Sequence, residues 1–419
     1  MTGVAGLVGF GSYLREIGVD RELGQQFFPL KAGPLVVYPM SAQIRLLLDS
    51  LVVGEHRVFG LESLAADSLF VHLAGGVVPS IDTVYRDLRR FDDDGLVALE
   101  AMVARHGLVG LRGARHRVVH LDVDTTVEPF FADGVEGAVP GYNPRYPGRP
   151  SYHPVLARIA ETDTCVGALL RPGDTAFGDA EAPLLGRWID RVRAAIGPKT
   201  RLYVRLDSAG DCAEVISTIH ERGALFLTKA RRTPDLCGAI SRVTKWRTVD
   251  RDADGKPTRQ LAEIPFARGE WKKAGLPVRV IAVRSRDRES GKHLYFWEDL
   301  DYTVQVFLAN DAYSDADDLA HRYDGRAGIE PLLAELETGW GIGKVPTTDF
   351  AANHAALLRK VLAHNLVRRY VVANVPALRT WRVQWLRRAL FVVPGRLVRS
   401  GRRRTLRTAN RPALLAAME

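Results

Sequence analysis

Cysteine is scarce in this 419-residue chain. Cys165, Cys212 and Cys237 are odd in number, widely spaced and without a CxxC pair, which argues against both a disulfide framework and a zinc site. A reducing, cytoplasmic setting is the simplest expectation. Long apolar runs are missing as well. No stretch reaches the length of a membrane span, and the apolar run at 4–13 lacks a basic leader and is followed at once by Arg15 and Glu16, a poor secretory signal. No membrane partner is expected. There is no internal repeat, low-complexity tract or coiled-coil heptad series. Acidic residues vanish from one region: between Arg368 and Arg411 lie thirteen arginines and no Asp or Glu, so the net charge of +9 is concentrated there. The remainder then sums to about −4. Such localised basic charge calls for a polyanion, and arginine favours bidentate phosphate contacts over diffuse attraction.

What is present divides the chain into several units, as its length allows. Residues 1–112 read as a helical DNA-binding domain, with helix-period apolar residues at 41–53 and 61–73 and Ser80 placed to cap a helix that starts at Ile81. Thr83, Arg86, Arg89 and Arg90 project outward from that helix, so 61–91 has the outline of a helix-turn-helix; a small bundle with solvated arginines has the same pattern. Near residue 112 the apolar period changes from 3.6 to 2. The strand at 118–127 follows and places Asp122 and Asp124 on one side. A carboxylate on a central strand costs several kcal/mol unless a cation or hydrogen-bond donors meet it, so this strand reads as a platform for a metal or a phosphate.

Residues 129–154, rich in Gly, Pro, Tyr and Arg, read as a surface loop beside these carboxylates, where Tyr142, Arg145, Tyr146 and Arg149 are placed to meet nucleic acid. A hairpin at 154–160 and 165–170, a helix at 180–196, a strand at 201–207 ending in Asp207, a helix at 212–222 and a strand at 224–228 complete the first part of a core, 113–242. A β-rich insertion, 243–310, carries Trp246, Trp271 and Trp297. The second part of the core, 311–372, starts with Ser314 as a helix cap and includes a long helix at 353–372. The tail, 373–419, interleaves Trp381 and Trp385 with arginines, including Arg402, Arg403 and Arg404, and has a strand pair around 389–406. It is expected on a DNA backbone.

Tyr323, Arg326 and Glu330 have spacings of three and seven, which on one α-helix puts a phenol, a guanidinium and a carboxylate within a stripe roughly 60° wide. A strand aspartate, a second aspartate ending a later strand and a glutamate on a following helix form the layout of an RNase H-like two-metal site. Here these are Asp124, Asp207 and Glu330. Two divalent ions on such acids activate an attacking oxygen and neutralise a leaving one at phosphorus, and oxygen-only ligands suit Mg²⁺, with Mn²⁺ as a substitute.

Asp124-Thr125-Thr126, Arg205-Leu206-Asp207 and Tyr323-x-x-Arg326-x-x-x-Glu330 resemble the DDE transposases of bacterial insertion sequences, the group with a Y-x2-R-x3-E-x6-K signature, over residues 118–372. The resemblance implies an RNase H-like mixed sheet flanked by helices and a catalytic, metal-binding triad of Asp124, Asp207 and Glu330. It also implies Tyr323 and Arg326 as phosphate contacts, and a homodimer acting on the terminal inverted repeats of an element and on target DNA. In related enzymes a tryptophan of the insertion holds a flipped base, which makes Trp246, Trp271 and Trp297 base-stacking candidates.

Two positions depart from the pattern. Glu337 stands where the signature has lysine, leaving Lys344 or the arginine tail to supply that contact, and Pro331 directly follows Glu330, where it disfavours a continuous helix. Glu335 and Glu337 are lesser candidates for the third acid. Two rival readings follow. Asp122-Val123-Asp124-Thr125-Thr126 also fits the DxDxT pattern of haloacid-dehalogenase-like phosphatases, with Asp122 as nucleophile, Asp124 as general acid and Lys229 in support. A catalytically inactive DNA-binding relic of a transposase is the other.

Overall fold

The computed structural model describes residues 1–131, 133–286, 302–401 and 403–408. Seven helices come first: α1 (Leu7–Glu16), α2 (Val19–Phe27), α3 (Met40–Val53), α4 (Leu61–Leu64), α5 (Ser68–Leu73), α6 (Ile81–Leu88) and α7 (Asp93–Gly107). The expected single helix at 61–73 is broken into α4 and α5, because the Asp67 carboxylate accepts from the amides of Leu69 and Phe70 and starts a new helix there. Gly75 and Gly76, with φ of 92° and 96°, turn the chain towards α6, and Ser80 caps α6 as expected.

The strands are β1 (Val118–Thr125), β2 (Glu128–Pro129), β3 (Val139–Pro140), β4 (Pro150–Tyr152), β5 (Val155–Ile159) and β6 (Thr164–Leu169). After α8 (Ala182–Arg193) come β7 (Arg201–Leu206), α9 (Ala213–Glu221) and β8 (Leu225–Lys229). The segment read as a bare loop at 129–154 contributes β2, β3 and β4, a small separate sheet. Beyond β8 lie α10 (Pro234–Ser241), β9 (Arg247–Arg251), β10 (Pro257–Ile264), α11 (Gly269–Lys273), β11 (Arg279–Ser285) and β12 (Thr303–Ala309).

One nine-stranded sheet has the order β6-β5-β1-β7-β8-β12-β11-β10-β9. An antiparallel meander of β1, β5 and β6 is joined through β1 to two parallel strands, β7 and β8. That order, with helices on both faces, is the RNase H-like arrangement. The β-rich insertion does not stand apart. Its strands continue the same sheet antiparallel from β8 outward.

The last elements are α12 (Ala316–Asp324), α13 (Ile329–Gly339), α14 (Phe350–Asn374), α15 (Val383–Leu386), and a hairpin of β13 (Gly395–Ser400) and β14 (Arg403–Thr408). Asp315, not Ser314, caps α12, since its carboxylate accepts from the Asp317 amide. Residues 387–391 form a π-helical turn, so the final strand pair starts later than the expected 389.

Period-2 alternation decides which side of the sheet each residue serves. Val119, Leu121, Val123, Leu202, Val204 and Leu206 enter a core with α8 and α9. Tyr203, Leu227, Ile281 and Phe307 face the other way and pack on Leu319, Ala320 and Tyr323 of α12. Asp122, Asp124, Arg205 and Asp207 share that second parity. A third core joins the N-terminal helices to α13, α14 and the segment 383–391, with α14 buried on every side.

Candidate active site

The site grows from strand register. In the parallel β1/β7 pair, Val118 faces Arg201 and Asp122 faces Arg205. Continued for two residues at the strand ends, the same offset sets Asp124 beside Asp207, with strands about 4.8 Å apart. Asp207 also caps the turn after β7, its Oδ1 accepting from the Ala209 amide at 2.9 Å, and Asp124 Oδ1 accepts from Thr125 at 2.9 Å.

Tyr323 and Arg326 lie over these two acids. Arg326 Nη2 forms a 2.8 Å ion pair with Asp124 Oδ1. The Tyr323 ring packs on Phe307 at 4.7 Å, and its buried hydroxyl has no hydrogen-bond partner. Burial pushes the Asp124 carboxyl above its ordinary pKa, and the negative charge of Asp207 adds to the rise while Arg326 opposes it. Burial likewise raises the Tyr323 phenol. Two coupled carboxylates at adjacent strand ends, met by a single guanidinium, are a donor set that fits an oxygen-ligated divalent cation.

Glu330 stands apart from that arrangement. The expected continuous helix over 321–330 is interrupted: α12 stops at Asp324, a 3₁₀ turn covers Gly325–Gly328, and α13 restarts at Ile329. The tighter turn resets the angular register, so the single-stripe argument does not hold across it. Tyr323 and Arg326 are buried towards the sheet, whereas Glu330 is exposed in the first turn of α13. Among the described residues no group of three His, Cys, Asp or Glu side chains is gathered closely enough to hold a metal ion. Pro331 sits within the first turn of α13, where its missing N–H leaves no helical bond unmade.

Asp122, two residues before Asp124, has a different role. It is fully buried; its Oδ1 accepts from Arg205 Nε at 2.5 Å, and its Oδ2 from Arg205 Nη2 at 2.9 Å and Arg158 Nη1 at 3.1 Å. With both oxygens held by guanidinium groups, Asp122 is no nucleophile, and the phosphatase reading fails at its first residue. Arg205 also donates to the Arg322 carbonyl at 2.5 Å, which fastens α12 over the strand ends. Sequence reasoning missed Arg205 and Arg158 as positioning residues. The available signal was Arg205 two places before Asp207, on the same side of its strand.

The remaining candidates are dispersed. Arg86, Arg89, Arg90, Arg145 and Lys344 are exposed. Arg90 pairs with Asp87 at 3.0 Å, and Arg145 lies 5.5 Å from the Tyr146 ring centre. Trp271 is buried beside Phe266, with Arg268 over its ring, while Trp246 is half-buried under Arg284. Trp297 and Arg402 fall outside the described residues; Arg403 and Arg404 belong to β14. Glu335 is buried, and both its oxygens accept from Arg368, at 3.2 and 3.0 Å, which makes it a structural acid. Glu337 is exposed.

No helix among the described residues is long and apolar enough to cross a membrane. Residues 1–415 match the family described as transposase DDE domain, group 1. No curated protein matches the chain. Among solved structures, a cryo-EM structure of the piggyBac transposase synaptic complex with hairpin DNA is similar at 13% identity and a TM-score of 0.43, over 91% of this chain and 78% of that one.

Proposed function

The chain belongs to the transposases with a group 1 DDE domain, and from that premise we propose that it cuts the ends of an insertion sequence and joins them to target DNA. Asp124, Asp207 and Glu330 are the acids assigned to two divalent cations, Mg²⁺ by preference. The observation that carries this reading is the β1/β7 register, which sets Asp124 beside Asp207 under Arg326. When bound, the two cations supply Lewis-acid activation of the attacking oxygen and neutralisation of the leaving one.

The chain's own residues do the rest. Asp122, clamped by Arg205 and Arg158, keeps β1 and β7 in register, so the two reactive carboxylates stay adjacent. Arg326 holds Asp124 in place beside Asp207, and its guanidinium is the group that would meet a phosphate oxygen of the DNA. Glu330 reaches the pair by rearrangement of the turn at 325–328, which has two glycines. Exposed Arg86, Arg89, Arg90 and Arg145 supply contacts to the terminal inverted repeats and target DNA, and two copies of the chain bring paired ends together.

The test is nicking of a DNA that carries the repeats flanking the gene, with and without Mg²⁺. Cleavage that needs the metal and is lost in Asp124→Asn, Asp207→Asn and Glu330→Gln supports the proposal. Cleavage that survives Glu330→Gln removes that residue from the triad. Binding without any cleavage favours the inactive relic.

A further inference from the structure

A cavity of about 90 Å³ lies between the N-terminal helices, the loop before α14 and the middle of α14, away from the acid pair. It is large enough for several water-sized atoms. Its walls carry Arg57, Lys344, Arg359 and Lys360 against a single acid, Glu55, with His56 beside them.

Arg359 is the telling residue. It is 5% exposed, its Nε has no hydrogen-bond partner, and among the described residues no carboxylate pairs with it. An unpaired buried guanidinium is costly and calls for an anion. Lys360, fully buried beside it, donates to the carbonyls of Gly341 and Lys344, both at 2.6 Å, and so fixes the loop that forms one wall. Glu55 does not neutralise the set, because its carboxylate lies against Gly60, where an added Cβ would come within 2.1 Å of Oε2. The local field is positive: burial first, and then Arg387, Lys344 and Lys360, pull the His56 imidazole down to about 4.

We propose that this cavity is a binding site for a phosphate group, clamped by Arg359 from within and by Lys344 and Arg57 at the mouth. A tetrahedral dianion matches the excess of cations and the fork geometry of arginine better than a carboxylate does. Bound there, it ties the loop at 54–59 and the loop at 341–346 to α14, coupling the N-terminal helices to the catalytic unit. The phosphate comes either from solution or from the backbone of bound DNA. Only the second source rests on the transposase reading.

The experiment uses the full chain and inorganic phosphate, with chloride at matched ionic strength as the control. Wild-type protein should melt about 3 °C higher in 10 mM phosphate, and Arg359→Met should lose that rise while melting no lower than wild type in chloride. No rise in wild type, or an equal rise in Arg359→Met, overturns the site, since general salt effects act on both proteins alike. Should Arg359→Met not fold, Lys344→Ala decides: a phosphate rise reduced by half or more supports the site, and an undiminished one overturns it. The source is read from duplex DNA affinity against salt. A log–log slope smaller by about 0.9 in Arg359→Met assigns the phosphate to DNA, and an unchanged slope assigns it to solution. Neither readout needs cleavage, so a failure of transposition leaves this result standing.

Discussion

Asp122 and Asp124 are two residues apart on one side of one strand, yet their surroundings are opposite. Asp122 is saturated by Arg205 and Arg158, whereas Asp124 has one guanidinium and a neighbouring acid. Removing the first leaves buried Arg205 without a carboxylate and Arg158 with Asp163 alone. Asp122→Ala should therefore lose about 3–5 kcal/mol in urea unfolding, while Asp124→Asn relieves a repulsion and should unfold no earlier than wild type as it loses cleavage. An Asp122→Ala protein of normal stability would refute the clamp. Glu128 makes a second case. Burial, and then Glu337, raise its carboxyl to about 8 from 4.5, and its Oε1 has no hydrogen-bond partner. The folded state thus holds a proton that the unfolded chain releases. The stability this provides is complete below pH 4.5 and is lost as pH rises to about 8, a span worth roughly 5 kcal/mol at about 1.4 kcal/mol per unit. Glu128→Gln should melt higher than wild type by a margin that grows between pH 5 and 8 and then levels off; a margin independent of pH would contradict it.

Among the elements, α7 and α14 hold the N-terminal helices to the catalytic sheet. Asn365 of α14 stitches the two, donating to the carbonyls of Val103 and Cys165 and accepting from the Cys165 amide. At this contact α7 needs a glycine: a Cβ on Gly107 would stand 2.0 Å from the Cys165 carbonyl oxygen, backbone that cannot rotate away. Gly107→Ala should cost about 1–3 kcal/mol by forcing α7 off β6, read as a lower urea midpoint, and an unchanged midpoint would show that the helix shifts freely. The break between α12 and α13 is equally local in cause. Gly325 and Gly328 let the chain tighten over Arg205 and Arg158, whose guanidinium groups would lie 2.7 and 3.0 Å from added Cβ atoms. The close approach that seats Arg326 on Asp124 is the same one that turns Glu330 outward.

Over the whole molecule, the basic tail divides into arginines that hold the fold and arginines that face solvent. Arg368 pairs with Glu335, and Arg387 donates to the carbonyls of Leu51 and Val52 at 2.8 and 3.1 Å, so neither is available to a polyanion. Arg396 and Arg407 are exposed and face each other across β13 and β14. Replacing both with alanine should leave thermal stability intact and reduce the log–log salt slope of DNA binding by about 1.8, at about 0.9 per phosphate contact. A slope unchanged in that variant would move the DNA path elsewhere. Arg368→Ala should instead lower stability by about 3–5 kcal/mol.

The sequence alone determined what is local: the alternation that puts Asp122 and Asp124 on one side of a strand, the cap at Ser80, the first-turn acids of α12, the run of elements from β5 to β8, and the charge of the tail. Each follows from neighbours a few residues apart, where side-chain direction is a matter of backbone period. It also named Asp124, Asp207 and the Tyr323–Arg326 pair together, through a family resemblance, and the fold sets these side chains near one another. Only the tertiary structure decided which carboxylate is clamped and which is open, because the partners of Asp122 arrive from β5 and β7, far along the chain. The same holds for Glu330, whose direction depends on how tightly residues 325–328 must fold over two buried arginines, and for Arg359, whose want of a counter-ion exists only once α3 and α14 have closed around it.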